Sequence, residues 1–138
     1  MQIGNRDFPL AHIAVAVNRL AEAAPLYAAL GFQLHEPEVI ERENVRAQVC
    51  SKGDLRIELL EPHPAGAGPI AKHIEKRGTG LHHIALVSTD LDADLASVQQ
   101  TGATLLPGYP ASGLSGTRVA FLHPKSAGGV LIELVQAP

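Results

Sequence analysis

The chain of 138 residues contains two copies of one sequence unit, and this repeat constrains the fold more than any other feature. A segment that begins His12-Ile-Ala-Val returns as His83-Ile-Ala-Leu, and each copy continues into an alanine-rich amphipathic stretch. His83 follows His12 by 71 positions and Glu133 follows Glu58 by 75, so the copies differ only by a few loop residues. A repeated unit of this kind predicts a repeated structural module.

Each copy is predicted to fold as a βαβββ module. Helices are expected at 20–30 and 91–101, because apolar residues recur there with helical spacing and each stretch is followed by glycine, which commonly ends helices. A turn signal at Ser51-Lys-Gly-Asp54 predicts a hairpin. Beyond the first strand of each copy, the predicted strands are 32–35, 45–50 and 55–60, and then 103–106, 118–122 and 130–135.

The chain is predicted to form one domain, 1–138, with an α+β fold. The first module covers about 9–62, a linker with a short helix at 70–77 covers 63–80, and the second module covers 81–138. Neither module is large enough to bury a sheet face alone. We therefore expect the two modules to pair into one open, cup-shaped mixed sheet with helices outside, and the cup to hold the active site.

Composition limits the possible partners. Hydrophobic residues make up 46% and charged residues 18%, which supports a packed core. The 14 acidic and 11 basic residues include no long Lys/Arg block, so no nucleic-acid partner is expected. No stretch approaches the roughly 20 apolar residues of a membrane span, and Met1–Phe8 lacks a signal-peptide core, which predicts a complete cytoplasmic chain without a membrane partner. The single Cys50 is expected to be a buried structural thiol.

Four side chains of the repeat are candidate metal ligands. His12 and His83 begin the first strand of each copy, and Glu58 and Glu133 lie in the last strand. Residues of one parity point to one face of a strand, so we expect all four to face the cup. Two imidazoles and one or two carboxylates suit a divalent transition ion with positions left open for water or substrate.

Simpler interpretations exist for these residues. Glu58 and Glu133 lie in apolar strands where an unpaired charge is costly to bury, unless both strands are edges that face solvent. His82 competes with His83, but the repeat aligns His83 with His12 and predicts that His82 faces away. His123 is expected in a turn, with a structural or substrate-contacting role. No role is assigned to the remaining histidines, His35, His63 and His73.

Several motifs resemble the vicinal oxygen chelate superfamily and, within it, the methylmalonyl-CoA epimerases. The resemblance covers nearly the whole chain, and its last two motifs point to the epimerases. These motifs are His12-Ile-Ala-Val-Ala-Val17, Ile57-Glu-Leu-Leu-Glu-Pro62, Gly80-Leu-His-His-Ile-Ala85, and Phe121-Leu-His-Pro-Lys-Ser126 running into Gly128-Gly-Val-Leu-Ile-Glu-Leu134.

The resemblance implies a metal-dependent epimerase, commonly a homodimer, that interconverts (R)- and (S)-methylmalonyl-CoA. The implied ligands are His12, His83 and Glu133, with Glu58 as a further ligand where some relatives have Gln. The implied cofactor is a divalent ion, Co²⁺ foremost, with Zn²⁺, Ni²⁺ and Mn²⁺ as alternatives. Abstraction of the C2 proton would leave an enolate that the ion stabilises.

Inversion at C2 requires an acid/base group on each face of the planar enolate. Glu133 is the first candidate. The second is open, because Ala47 occupies the place where some epimerases carry a Glu, and Glu43 or Glu58 are the candidates to replace it.

Substrate contacts are also predicted. The loop Ser112-Gly-Leu-Ser-Gly-Thr117 lacks the P-loop pattern, and its amides at Ser115 and Gly116 either hold the substrate carboxylate or belong to a plain hairpin loop. His123 and Lys125 are expected to contact substrate. Four basic residues either meet the CoA phosphates or are solvated surface charges: Lys72, Lys76, Arg77 and Lys125.

Three rival functions share this fold. A glyoxalase-type isomerase (lactoylglutathione lyase) would use the same metal and base on a glutathione hemithioacetal, but the segment Phe121-Leu-His-Pro-Lys125 argues against it. A ring-cleaving dioxygenase would use two His and one Glu on ferrous iron, usually in a longer chain. A metal-free small-molecule binding protein typically loses the ligands that this chain retains.

Overall fold

The computed structural model describes residues 7–138, so that part of the N-terminal segment Met1–Phe8 lies outside the described residues. The described residues form two compact units: His12–His82, called the first unit, and His83–Pro138 with residues 7–11, called the second unit. Within residues 7–138, nine strands belong to one open mixed sheet, and three α-helices accompany them. The predicted α+β fold is confirmed.

The first unit contains two helices and a set of strands that meet at one central hairpin. β1 runs parallel to β5, β5 pairs antiparallel with β4, and β4 pairs antiparallel with both β2 and β3. The elements are β1 (Leu10–Ala16), α1 (Leu20–Ala29), β2 (Gln33–Leu34), β3 (Glu38–Ile40), β4 (Val45–Lys52), β5 (Leu55–Pro62) and α2 (Gly68–Arg77).

The second unit repeats this plan with one helix. β6 runs parallel to β9, β9 pairs antiparallel with β8, and β8 pairs antiparallel with β7. The elements are β6 (Gly80–Val87), α3 (Leu91–Gln99), β7 (Ala111–Ser112), β8 (Arg118–Leu122) and β9 (Ile132–Gln136).

One predicted strand is wrong. The segment 103–106 forms no strand, and only Leu105 makes a bridge, to Leu122 of β8. Pro107 and Pro110 follow it, and since proline has no amide hydrogen, a continuous ladder cannot run through them. The strand that pairs with β8 at this edge is β7, which begins immediately after Pro110.

The other predicted helices and strands are confirmed to within two residues at each end. The hairpin of β4 and β5 is also confirmed. Two strands were not predicted, β3 and β7. β3 lies where the sequence indicates a polar loop, because its three residues Glu38–Ile40 are too few to show alternation.

Helices α1 and α3 each pack on one face of the strands of their own unit. Val15 of β1 and Ile57 of β5 pack against the first core, whereas His12 has the opposite parity on its strand. The first core contains Val17, Leu20, Ala24, Cys50 and Leu59, and the second contains Leu91, Leu95, Ala120, Leu122 and Leu134. Helices α1 and α3 therefore do not cover the face of the strands that carries the histidines.

Cys50 is fully buried in the first core, as predicted for a structural thiol. Burial disfavours the charged thiolate and raises the pKa of Cys50. The thiol therefore packs as a small apolar group.

No helix among residues 7–138 is both long and apolar enough to cross a membrane. Location in the cytoplasm stays a prediction.

Candidate metal centre

In the first unit, the register of two parallel strands brings a histidine and a glutamate together. Ala14 of β1 lies beside Glu58 of β5, and His12 precedes Ala14 by two residues, so both side chains project from one face. His12 Nδ1 lies 3.0 Å from Glu58 Oε2. His12 is 7% exposed and Glu58 is 8% exposed, so the interpretation of Glu58 as a solvent-facing edge residue is wrong.

The second unit forms the equivalent pair at the same register. Ala85 of β6 lies beside Glu133 of β9, two residues after His83. His83 Nε2 lies 3.0 Å from Glu133 Oε1. Both side chains are buried, at 6% and 7% exposed. The repeat in the sequence is therefore a repeat of strand register.

Three of these four side chains also form a single group. Among the described residues, His12, His83 and Glu133 each offer one ligand atom, and these atoms lie within 4.8 Å of one another. All three are buried. Glu58 contacts this group through the Nδ1 atom of His12.

The donor set fits a divalent transition ion. Ligands at right angles around an ion with bonds of about 2.1 Å are separated by about 3.0 Å, which matches both His–Glu contacts and also suits a hydrogen bond. Buried carboxylates are costly unless a cation or strong donors compensate them. Two imidazoles with carboxylates provide mixed nitrogen and oxygen ligation, which is compatible with a divalent metal site.

Two aromatic rings flank the pair of the second unit. Phe121 of β8 lies directly opposite Glu133, and its ring meets the His83 ring edge-on with centroids 5.2 Å apart. Tyr109 packs against Phe121 in turn, with centroids 5.0 Å apart. These contacts were not predicted, because the sequence shows Phe121 only as part of a motif. Phe121 and Glu133 are both buried, at 6% and 7% exposed.

His82 lies apart from the ligand group, as its alternate parity requires. Its ring packs edge-on against His73 of α2, with centroids 4.8 Å apart. Burial, with a smaller contribution from the positive charge of Arg77, lowers the pKa of His73. These two histidines thus form a separate contact.

The other predicted site residues lie in turns. Glu43 ends a 3₁₀ turn just before β4. Ser115, with φ of 53°, and Gly116, with φ of 76°, lie in an exposed turn before β8. His123 caps the turn that follows β8, where its Nδ1 accepts a hydrogen bond of 3.1 Å from the Lys125 amide. His123 therefore supports this turn, and its contact with substrate stays a prediction.

A cavity of about 500 Å³ lies in the first unit near the start of α1. Its lining includes Asn18, Arg19, Glu61, His63 and Glu75, and none of the four candidate ligands. This cavity is therefore separate from the candidate ligands.

A comparison with protein families shows to which family the chain is related. Residues 11–121 match the Glyoxalase/Bleomycin resistance protein/Dioxygenase superfamily. The chain belongs to this superfamily. The predicted resemblance is confirmed, and the match includes three of the four candidate ligands, His12, Glu58 and His83.

Within the superfamily, the chain is similar to methylmalonyl-CoA epimerases, which are isomerases. It is 38% identical to an ethylmalonyl-CoA/methylmalonyl-CoA epimerase of Cereibacter sphaeroides, over 92% of this chain and 96% of that protein. It is 36% identical to the human mitochondrial methylmalonyl-CoA epimerase, over 93% of this chain and 73% of that protein.

Solved structures agree. The methylmalonyl-CoA epimerase of Mycobacterium tuberculosis superposes with a TM-score of 0.87 at 34% identity, covering 94% of this chain and 89% of the other. A methylmalonyl-CoA epimerase in complex with methylmalonyl-CoA and NH4+ superposes with a TM-score of 0.85 at 36% identity, covering 94% of each chain.

Proposed function

We propose that the chain is a metal-dependent epimerase that interconverts (R)- and (S)-methylmalonyl-CoA. The observation that carries this proposal is the buried group of His12, His83 and Glu133, in a chain similar to methylmalonyl-CoA epimerases. A donor set of this kind serves reactions in which negative charge develops on a carbonyl oxygen.

His12, His83 and Glu133 would hold the ion, with Glu58 as a further ligand. When bound, a divalent ion acts as a Lewis acid on the thioester carbonyl. Co²⁺ is our first choice, with Zn²⁺, Ni²⁺ and Mn²⁺ as alternatives.

Glu133 is proposed as the base that removes the C2 proton. It is buried beside the Phe121 ring, and a dry setting strengthens the interaction of a carboxylate with an acidic carbon centre. The opposite face of the enolate needs a proton donor. Glu58 lies on the ligand-bearing face of β5 and Glu43 lies in the turn before β4, and both were predicted for this role.

The turn that contains Ser115 and Gly116 is proposed to bind the substrate carboxylate through its amides. Both residues have positive φ and lie in an exposed turn. His123 and Lys125 are proposed as further substrate contacts. The exposed side chain of Lys125 offers a positive charge to an anionic substrate.

The test is proton NMR of (R)-methylmalonyl-CoA in deuterium oxide. Metal-loaded protein is expected to replace the C2 proton with deuterium and to produce the (S) form, whereas protein treated with a chelator is expected to lose this activity and to regain it with Co²⁺. Turnover of a glutathione hemithioacetal without any exchange at C2 would contradict the proposal in favour of the glyoxalase-type alternative.

Two simpler measurements accompany this test. Elemental analysis of the purified protein is expected to find one divalent ion per chain, and a metal-free protein that binds small molecules tightly would indicate the binding-protein alternative. Sedimentation velocity tests the proposed homodimer by giving the mass of the particle in solution.

A further inference from the structure

We propose that Glu38 of β3 is the second acid/base residue, on the face of the enolate opposite to the base that removes the proton. This inference rests on the proposed epimerase function. It answers the question that Ala47 raises, because Ala47 occupies the place where some epimerases carry a Glu.

A one-residue bulge gives Glu38 its position. Leu34 of β2 pairs with Cys50 of β4, and Glu38 of β3 pairs with Ala47 of β4. The chain thus advances four residues from Leu34 to Glu38 while β4 advances three. Without the extra residue, Pro37 would lie opposite Ala47, and Glu38 would point to the other face. Bulges of this type often re-aim a side chain beside an active site.

Parity then places Glu38 on the ligand-bearing face. Val49 of β4 lies opposite Glu58, and Ala47 is two residues away on the same strand, so the two share a face. Glu38 lies directly opposite Ala47, and directly opposed residues of an antiparallel pair project to the same side. Glu38 therefore stands on the face that carries Glu58, one strand beyond Ala47.

The distance between neighbouring strands matches the reach of a glutamate. Opposed side chains in an antiparallel pair have Cβ atoms about 4.5–5.5 Å apart, which a long side chain spans. The Glu38 carboxylate can therefore extend over the Ala47 methyl group, which is 1% exposed and occupies little space. A carboxylate from β3 thus replaces one that would otherwise project from β4.

Register also separates Glu38 from Glu43. Glu58 lies opposite Val49 of β4, and β4 begins four residues earlier, at Val45. The start of β4 is therefore about 13 Å along the strand from the position of Glu58. Glu43 lies two residues further still. By the same measure, Ala47 is only about 7 Å along the strand from the position of Glu58.

The proposed step conserves atoms and charge. One C2–H bond breaks as Glu133 takes the proton, and one C2–H bond forms on the other face as the protonated Glu38 donates its own. In the reverse direction the two carboxyl groups exchange roles. Glu38 is exposed, so it recovers a proton from water after each turnover.

The test compares Glu38→Gln with wild type in two NMR measurements. Interconversion of (R)- and (S)-methylmalonyl-CoA is expected to fall by about 100-fold or more, which is the usual contribution of a general acid or base. Deuterium exchange at C2 is expected to continue near the wild-type rate for the enantiomer that Glu133 deprotonates, and to be lost for the other.

Glu41→Gln serves as the matched control, since Glu41 is an exposed acid three residues away in the adjoining turn, and it is expected to keep wild-type rates. Glu38→Ala with added formate adds a second readout, in which recovery of interconversion supports direct proton transfer.

Three outcomes would overturn the assignment. If wild type is active and Glu38→Gln interconverts the enantiomers at the wild-type rate, Glu38 is not the second acid and the proposed function stands. Equal loss of exchange at both enantiomers, with an unchanged melting temperature, would instead give Glu38 a binding role. An inactive wild-type protein would remove the proposed function and this assignment together.

Discussion

The two units share backbone hydrogen bonds at equivalent positions. In the first unit the Val17 amide donates to the Leu60 carbonyl at 2.9 Å, and in the second the Ser88 amide donates to the Val135 carbonyl at 2.8 Å. The offsets are 71 positions for the donors and 75 for the acceptors, the same as for the His and Glu residues. The first and last strands therefore pair in the same register in both units.

Each unit also caps its helix from its last strand. The Leu20 amide donates to Glu61 Oε1 at 3.0 Å, and the Leu91 amide donates to Gln136 Oε1 at 2.7 Å. These contacts satisfy an amide at the start of α1 and of α3 that has no partner within its helix. The repeat thus preserves long-range contacts as well as secondary structure.

The units differ next to their His–Glu pairs. In the second unit, Phe121 lies opposite Glu133, and at the position of Glu38 stands Ala111. In the first unit, Val49 lies opposite Glu58. The His–Glu pairs are repeated, but Phe121 beside the pair belongs to the second unit and Glu38 to the first. The comparison indicates that the geometry of the His–Glu pairs was retained while the residues around them diverged.

The largest expected difference concerns the two buried glutamates. Glu133→Gln is expected to lower the interconversion rate by about 10²–10⁴-fold, the range for loss of a general base. Glu58→Gln keeps an oxygen donor at the position of the proposed further ligand, beside His12 Nδ1, so a smaller loss of about 10–100-fold is expected. Steady-state kinetics with metal analysis of each variant makes the comparison, and equal losses would mean that the two pairs have equivalent roles.

Core truncations test whether the two units have equal stability. Leu20→Ala and Leu91→Ala remove equivalent buried side chains, and each is expected to lower the free energy of unfolding by about 2–5 kcal/mol in urea denaturation. Leu26→Ala is the control, because Leu26 is 63% exposed. Two separate transitions, or a large cost for only one variant, would show that the units unfold independently.

The helix caps are expected to contribute less. Glu61→Ala and Gln136→Ala are each expected to cost about 0.5–2 kcal/mol of unfolding free energy, the range for loss of a cap. Glu61 also lies 3.8 Å from Arg46, so Arg46→Ala separates the cap from the ion pair. No change in stability for Glu61→Ala would contradict the capping role.

The smallest expected effect is at an exposed ion pair of the second unit. Arg118 donates to Asp92 at 2.9 Å, and this hydrogen bond lowers the pKa of Asp92. A carboxyl group with a lowered folded-state pKa stabilises the fold above its unfolded pKa, and this contribution disappears as pH falls through the folded value. Arg118→Ala is expected to raise the pKa of Asp92 in an NMR titration, whereas Arg46→Ala should leave it unchanged.

The candidate ligands could be found from the sequence because they follow local rules. Strand alternation and a repeat offset require only neighbouring residues and a comparison of two segments, and these two patterns identified His12, Glu58, His83 and Glu133 and chose His83 over His82. The helices were predicted for the same reason, since their periodicity and terminal glycines are local.

Register and side-chain contacts between distant segments required the tertiary structure. The bulge that aims Glu38 depends on how β3 pairs with β4, and the caps join residues 41 and 45 positions apart. The contact of Phe121 with His83 depends on the pairing of β8 with β9. The sequence by itself determined which residues recur. The pairing of strands decided which side chains lie beside those residues, because a shift of one residue in register moves every side chain of a strand to the other face of the sheet.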